Sequence, residues 1–479
     1  MQPLCKIRGF SFRSRLQMIA SVLGAVALMG MLVSCGDSGS SGSNPTPVPQ
    51  SVVQVSFGDA PADWMLAFSL HISSMEMNRA NGAAVPLINR EMTMEMTRLV
   101  AAVQPVALVS VPQATYTGST ITISSVDVTY IDPDTHALVQ QSIPGPFIRT
   151  LSPGLPVTLG DTPYLFNFDL DLLHSVSKDN AGKLAFGPVF HMAAAAQGSG
   201  GTNGPSTDSA FLISGVVSSV SANSFVLESQ QAAQSLTFAT NSSTQCGGNL
   251  RTRDMLKVGM GVQVSGALQA DGTLLATGIH SRMNSGGMMG GGIITEVPEL
   301  PATQLTIVMQ NGAGASVNTD YLSKPLTVNL TADTSYEIDD DRISLDGLGF
   351  TPLFDASHIY AGQSVLPISE STGMKAGGTG GNTGSITASY VRLEEQGFRG
   401  TTDVAITPGT ATTFTLTLAA DSAFTHLTGA DKIAVYQLAT TRVHDNTTIP
   451  AAATLRVHGL LFKDGTNWRL VASTIASVP

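Results

Sequence analysis

Charge and aromatic rings are scarce in this chain, and both shortages narrow what it can do. Only 12% of its 479 residues are Asp, Glu, Lys or Arg, about half the ~25% usual in soluble proteins. Acids outnumber bases, 35 to 24, and Lys6, Arg8, Arg13 and Arg15 all precede the first acid, Asp37. The chain beyond Arg15 has no basic excess with which to neutralise phosphates, which argues against nucleic acid as a partner. Two Trp and eight Tyr leave little for base stacking, for the aromatic platforms of a sugar cleft or for the girdles of an outer-membrane barrel. Three cysteines rule out a disulfide framework. The nine histidines are never closer than His444 and His458, so no local pair has the spacing of a zinc motif.

A leader is present. Basic residues occupy 6–15, and an almost wholly apolar run, LQMIASVLGAVALMGMLV, spans Leu16 to Val33. Its length is borderline for a transmembrane helix, and Leu32-Val33-Ser34-Cys35 favours an export signal instead. This tetrapeptide resembles the lipobox of bacterial lipoproteins. The resemblance implies a signal peptide cleaved after residue 34 and diacylglycerol joined to the Cys35 thiol. It also implies fatty acylation of the palmitate class on the new N-terminus, and so a stable membrane anchor. Residues 36–50, GDSGSSGSNPTPVPQ, read as a tether, flexible where Gly and Ser dominate and stiffer where Pro does. The expected location is the cell envelope: outer membrane, periplasmic face of the inner membrane, or cell surface. Cys5 leaves with the signal, so Cys246 remains alone. Before Gly247-Gly248 it reads as a small neutral side chain rather than a reactive thiol.

The rest is rich in glycine and in period-two alternation, which predicts an all-β protein. Phe414, Leu416 and Leu418 alternate with threonines. Ile121 and Ile123 alternate, then Val126, Val128 and Tyr130; the slip of phase at Ser124-Ser125 predicts a β-bulge. Met92, Met94 and Met96 alternate with Thr93 and Glu95, and are expected in a core. Only short helical turns are expected, near 97–102 and 251–257.

One hairpin recurs. Val262-x-Val264-x-Gly266-x-Leu268 leads to Asp271-Gly272-Thr273; Leu455-x-Val457-x-Gly459-x-Leu461 leads to Asp464-Gly465-Thr466. Asp-Gly signals a tight turn, and glycine inside a strand a bulge or bend. Ala361-Gly362-Gln363-Ser364-Val365 echoes Val258-Gly259-Met260-Gly261-Val262 and marks a divergent middle copy. Short strands with glycine corners suit small closed barrels. The expected layout is signal peptide 1–34, lipidated Cys and tether 35–50, an N-terminal β-sandwich of Ig or transthyretin type at 51–197 and a Gly-rich linker 198–209. Three OB-like barrels complete it: 210–283, then a Gly-rich linker 284–292, then 293–395 with a Gly-rich insert 376–384, then 396–479.

Val55-Ser56-Phe57-Gly58-Asp59-Ala60-Pro61, followed by alternating strands and a Pro112…Tyr116 turn, resembles the N-terminal domain of bacterial lipoproteins catalogued as domain of unknown function 4382. The V-x-G-x-L…D-G-T hairpins resemble the small OB-like domain of unknown function 5666. Together the resemblances would span nearly all of 51–479. They imply architecture and location, and bring no catalytic residue.

No catalytic constellation is visible. Asp59 before Ala60-Pro61 is expected in a turn, as are Asp132 and Asp134; Asp169 and Asp171 are expected on a strand's outward face. Trp64 and Asp59 are weak candidates for binding, and Trp468 is expected to pack. Asp339, Asp341 and Asp346, within an acidic stretch, are weak Ca²⁺ candidates, although EF-hand spacing is absent. The expected function is therefore non-enzymatic: an anchored envelope protein that binds another envelope protein or a glycan, or acts as a spacer, without a cofactor. Two alternatives stay open. One is an envelope glycan hydrolase whose acids come from Asp59, Asp63, Asp132, Asp134 and Asp169; the other is a Ca²⁺-dependent adhesin using 337–347.

Overall fold

The computed structural model describes residues 48–479 apart from 61, 100–102, 155, 180–181, 198–210, 249, 282–287, 312, 315–320, 341–342, 370–374, 377–383, 445–446 and 478–479. Leu32, Val33, Ser34 and Cys35, nearly all of the tether, the first linker and Asp341 lie outside the described residues. The chain is all-β. Among the described residues no helix is long and apolar enough to cross a membrane.

Two sheets face each other over residues 50–196. The first orders Phe190–Ala196, Tyr164–Asp171, Gln50–Ala60 and Gln104–Pro112, with the middle pair parallel. The second is built around Met65–Arg79, Thr115–Ile131 and Leu138–Leu151. Alternation decides the inner faces: Phe57, Phe166 and Phe168 from one sheet meet Phe68, Leu70, Ile72, Ile121 and Ile123 from the other in one core. The bulge falls where the phase slips. Both neighbours of Thr115–Ile131 step over Ser124, pairing Ile123 with Ile72 and Phe147, then Ser125 with His71 and Pro144. Tyr116 is buried and donates its hydroxyl to the Pro112 carbonyl at 2.8 Å, closing the turn between them. Asp59 is a correction: it lies in strand Gln50–Ala60 opposite Leu170, because parallel pairing to Tyr164–Asp171 runs on through Ala60.

Three barrels come next in the chain, all with one pairing scheme. In the first, Phe211–Val220, Ser224–Glu228 and Leu236–Ala239 pair in order. Leu236–Ala239 then runs parallel to Leu274–Ser281, which pairs through Gly261–Leu268 back to the first strand. In the third, Gln396–Thr402, Thr412–Leu418, Lys432–Val443, Asn467–Ser477 and Thr454–Asp464 close the same ring. The middle copy uses Gly292–Glu296, Gln304–Met309, Pro325–Asn329 and Ser364–Ser369, and its last strand is split into Gly384–Thr387 and Tyr390–Leu393. Glycine explains the ring's tight corners. Gly266 and Gly459 sit at register shifts, where a Cβ would strike the carbonyls of Leu275 and Val471.

The expected second linker, 284–292, needs correcting as well. Met288–Met289 is a strand paired with Ser369 and Ile368, and Gly292 opens the middle barrel. Its glycines answer close approach, since Cβ atoms at 290, 291 and 292 would strike Met309, Asn311 and the Val308 carbonyl.

Val48–Pro479 form one compact unit, and each barrel docks on the sandwich through a different device. The first inserts the loop after Glu228: Ala233 is fully buried in the sandwich core and donates to the Val106 carbonyl at 2.9 Å. Arg90 donates to the carbonyls of Ser229 and Ala232. The middle barrel presses Ser323, buried and at φ 60°, against Ser69, Thr129 and Gln140. The third docks a short helix, Ala423–Thr428, capped by the Ser422 hydroxyl and ended by left-handed Gly429. That helix packs with Leu66, Ala67 and Ile131.

Candidate functional site: charged seams between the sandwich and the barrels

Arg399 and Arg456 lie directly opposite each other on neighbouring strands of the third barrel. Like charges so placed repel unless anions meet them, and the sandwich supplies the anions. Asp63 approaches Arg399 at 3.8 Å, while Arg456 lies within electrostatic reach of both Asp63 and Asp169. Burial pushes the Asp63 carboxyl up to about 6 despite the two arginines, and nearby Asp421 adds to the rise. Burial also raises Asp169, with Arg456 and His191 pulling it back. At the matching place the first barrel has Ser214 opposite Gln263. The paired arginines thus belong to a barrel that faces these acids.

Of the five acids expected to converge in a hydrolase, this seam gathers Asp63 and Asp169. Asp132 accepts from the backbones of Asp134 and Thr135 in the expected turn and pairs with Lys178 at 3.5 Å. The Asp59 side chain lies outside the described residues. Trp64 is half-buried, edge-on to Tyr130 at 5.5 Å, and packs against the sandwich core. Trp468 is buried between Phe424 and Tyr360 under Lys463. Cys246 is a half-buried free thiol, raised by burial.

A second seam carries alternating charge from the sandwich into the middle barrel: Glu95, Arg98, Glu394, Arg392 and Asp339. Glu95 is 1% exposed and accepts from the Phe68 amide at 2.9 Å and the Thr97 hydroxyl at 2.6 Å. Burial nonetheless pushes it up to about 7. Arg98 is flanked electrostatically by Glu95 and Glu394. Arg392, 2% exposed, bonds Glu394 through Nε at 2.5 Å and faces Asp339 at 3.6 Å. Glu394, Asp339 and Glu337 hold its guanidinium charged against the cost of burial. The weak Ca²⁺ candidate Asp339 therefore turns toward a guanidinium, whereas Asp346 is exposed. Among the described residues no group of three or more His, Cys, Asp or Glu is placed to hold a metal ion.

Glu395, His458 and Ser473 meet on the third barrel and invite comparison with a hydrolytic triad. The Glu395 carboxylate takes His458 Nδ1 at 2.9 Å and the Ser473 hydroxyl at 2.5 Å. In a triad the imidazole stands between acid and hydroxyl and removes the proton. Here the acid stands between the other two, and the serine is held rather than activated. Local spacing gave no sign of these seams, because their members come from different modules.

Residues 214–280 match the family described as Domain of unknown function (DUF5666). The match falls on the first barrel, and the other two barrels repeat that barrel's strand pairing. No curated protein and no solved structure matches the chain.

Proposed function

We propose that this chain is a lipid-anchored bacterial cell-envelope protein with a structural or binding role toward an envelope protein or glycan. In this reading its sandwich is of the domain of unknown function 4382 type. The observation that carries the proposal is Leu32-Val33-Ser34-Cys35, placed after an apolar run and before a Gly/Ser/Pro stretch that leads to the first strand at Gln50. The charged seams support it by joining the modules into a single block, as suits a spacer or a display scaffold. Metabolic labelling with a palmitate analogue tests the anchor: label is expected on the wild type and absent from Cys35→Ala. Equal labelling of the two would defeat the proposal.

One observation favours a second reading, an envelope glycan hydrolase: Asp63, its carboxyl raised to about 6, shares Arg456 with Asp169. Two acids around one arginine, one of them raised to about 6, offer the pair of carboxyls that glycoside hydrolysis uses. In that case Asp63→Asn and Asp169→Asn would each abolish release of sugars from isolated envelope glycan. No release by the wild type removes this reading and leaves the first standing.

A further inference from the structure

Several histidines are held by carboxylates: His71 by Asp127, His174 by Asp171, His358 by Asp355 and His458 by Glu395. His136 and His426 are held otherwise. They come from distant parts of the chain, His136 from the turn between strands Thr115–Ile131 and Leu138–Leu151, His426 from the helix Ala423–Thr428. Their rings meet at a centroid separation of 6.0 Å and an interplanar angle of 61°. Among the described residues, no ring nitrogen of either makes a hydrogen bond.

Both residues are fixed through their backbones. His136 has left-handed backbone, φ 54°, and donates its amide to the Asp132 carbonyl at 2.9 Å. The Asp132 carboxylate braces the same turn by accepting from Thr135. His426 lies in a helix whose first turn is capped by Ser422 and whose start is tied to the sandwich by Ala423, which donates to the Asp63 carbonyl at 2.8 Å. Leu138 and Leu427, near neighbours of the two rings in sequence, belong to the apolar contact that seats this helix. His136 is exposed and His426 half-buried, so an ion from solution can reach the pair.

We propose that His136 and His426 form a two-histidine site for a divalent transition-metal ion of the Zn²⁺ or Cu²⁺ class, stapling the third barrel to the sandwich. Neutral imidazole suits these ions, and water fills the remaining positions. With Zn–N bonds of about 2.1 Å, two imidazoles sharing one tetrahedral ion have centroids roughly 5 Å apart. Closing from 6.0 Å asks for a shift of about one ångström, within reach of side-chain rotation. The two histidines come from distant parts of the chain, so local spacing in the sequence gives no hint of the site.

Isothermal titration of the metal-stripped full-length exported chain with ZnCl₂ tests the proposal. The comparison set is His136→Asn, which tolerates the left-handed backbone, His426→Gln, which keeps the helix, and His174→Ala as an unrelated histidine. One Zn²⁺ is expected per wild-type chain at pH 7.5. Binding should weaken at least roughly tenfold in either site variant, since loss of an outer-shell partner alone costs about 10–100-fold. His174→Ala should bind as the wild type does. No Zn²⁺ binding by the wild type, or unchanged binding in both His136→Asn and His426→Gln, overturns the proposal.

Discussion

Ala452 in the third barrel stands where Gly362 stands in the second. Gly362 donates its amide to the Ile294 carbonyl at 2.8 Å and Ala452 donates to Thr402 at 2.9 Å, each reaching back to the barrel's first strand. The next residue returns the bond in both cases: Gln363 accepts from Ile294, and Ala453 from Thr402. The first barrel repeats the arrangement with Gly259, Met260 and Val217. All three corner residues have left-handed backbone, at φ 87°, 94° and 61° in chain order. One geometric demand is thus met by glycine twice and by alanine once.

Alanine at such a corner carries strain that glycine does not. Ala452→Gly is expected to raise unfolding stability by about 0.5–1 kcal/mol, after the added freedom of the unfolded chain is set against the relief. Gly362→Ala should cost about 2 kcal/mol, because its Cβ would also meet the Phe424 ring at 2.8 Å. Urea midpoints of the two variants, moving in opposite directions, check this.

The echo between residues 258–262 and 361–365 was legible because a positive φ leaves glycine in the sequence. The Asp-Gly-Thr turns and the bulge at Ser124 were legible for similar local reasons. Burial between modules was not. Met92, Met94 and Met96 alternate with Thr93 and Glu95, which promises one dry and one wet face, yet Thr93 and Glu95 are buried too. Gln231 of the first barrel reaches the Glu95 amide, and Gln310 of the middle barrel reaches Thr97. A docked neighbour dries a polar face without changing its pattern. The opposition of Arg399 and Arg456 was hidden for the same reason, since it requires the register of two strands far apart in sequence.

Arg392 is the keystone of the second seam. Removing one member of a buried ion pair leaves its partners desolvated and uncompensated, which costs about 3–5 kcal/mol. Arg392→Met should therefore lower stability by that order, with Glu394 and Asp339 left facing an apolar chain. Adding Glu394→Gln to it should recover part of the loss. Equal urea midpoints for Arg392→Met and the double variant would show that Glu394 is compensated by other groups.

Arg399→Ser installs the residue type found at the matching place of the first barrel, Ser214. Asp63 then loses its nearest guanidinium, at 3.8 Å in the native seam. The contact is loose and partly exposed, so the expected cost is only about 1 kcal/mol. Hydrogen exchange is the sharper measurement. Faster exchange is expected at Ala423 and in the helix that it opens, while Phe211–Val220 in the first barrel keeps its protection.

Acid and base should destabilise this protein through different carboxyls. Asp127 and Asp355 are held below their ordinary range by hydrogen bonds and charge from His71 and His358. Their contribution is present above the unfolded value, near 4, and is lost as pH falls through the folded one. Glu95 and Asp63 act in the opposite sense, since burial raises their folded values to about 7 and about 6. Their contribution is complete below the unfolded values, near 4, and is lost as pH rises through 6 and 7. For Glu95, the change from its ordinary 4.5 to about 7 corresponds to about 3 kcal/mol. Unfolding free energy should therefore decline between about pH 4.5 and 7.5. Glu95→Gln should remove the Glu95 share of that decline and leave the Asp63 share, which ends near pH 6, because an amide has no proton to lose on crossing this range. Urea unfolding of the wild type and Glu95→Gln at half-unit steps of pH checks it. Parallel slopes in the two proteins would mean that the donors around Glu95 already stabilise its charge in full.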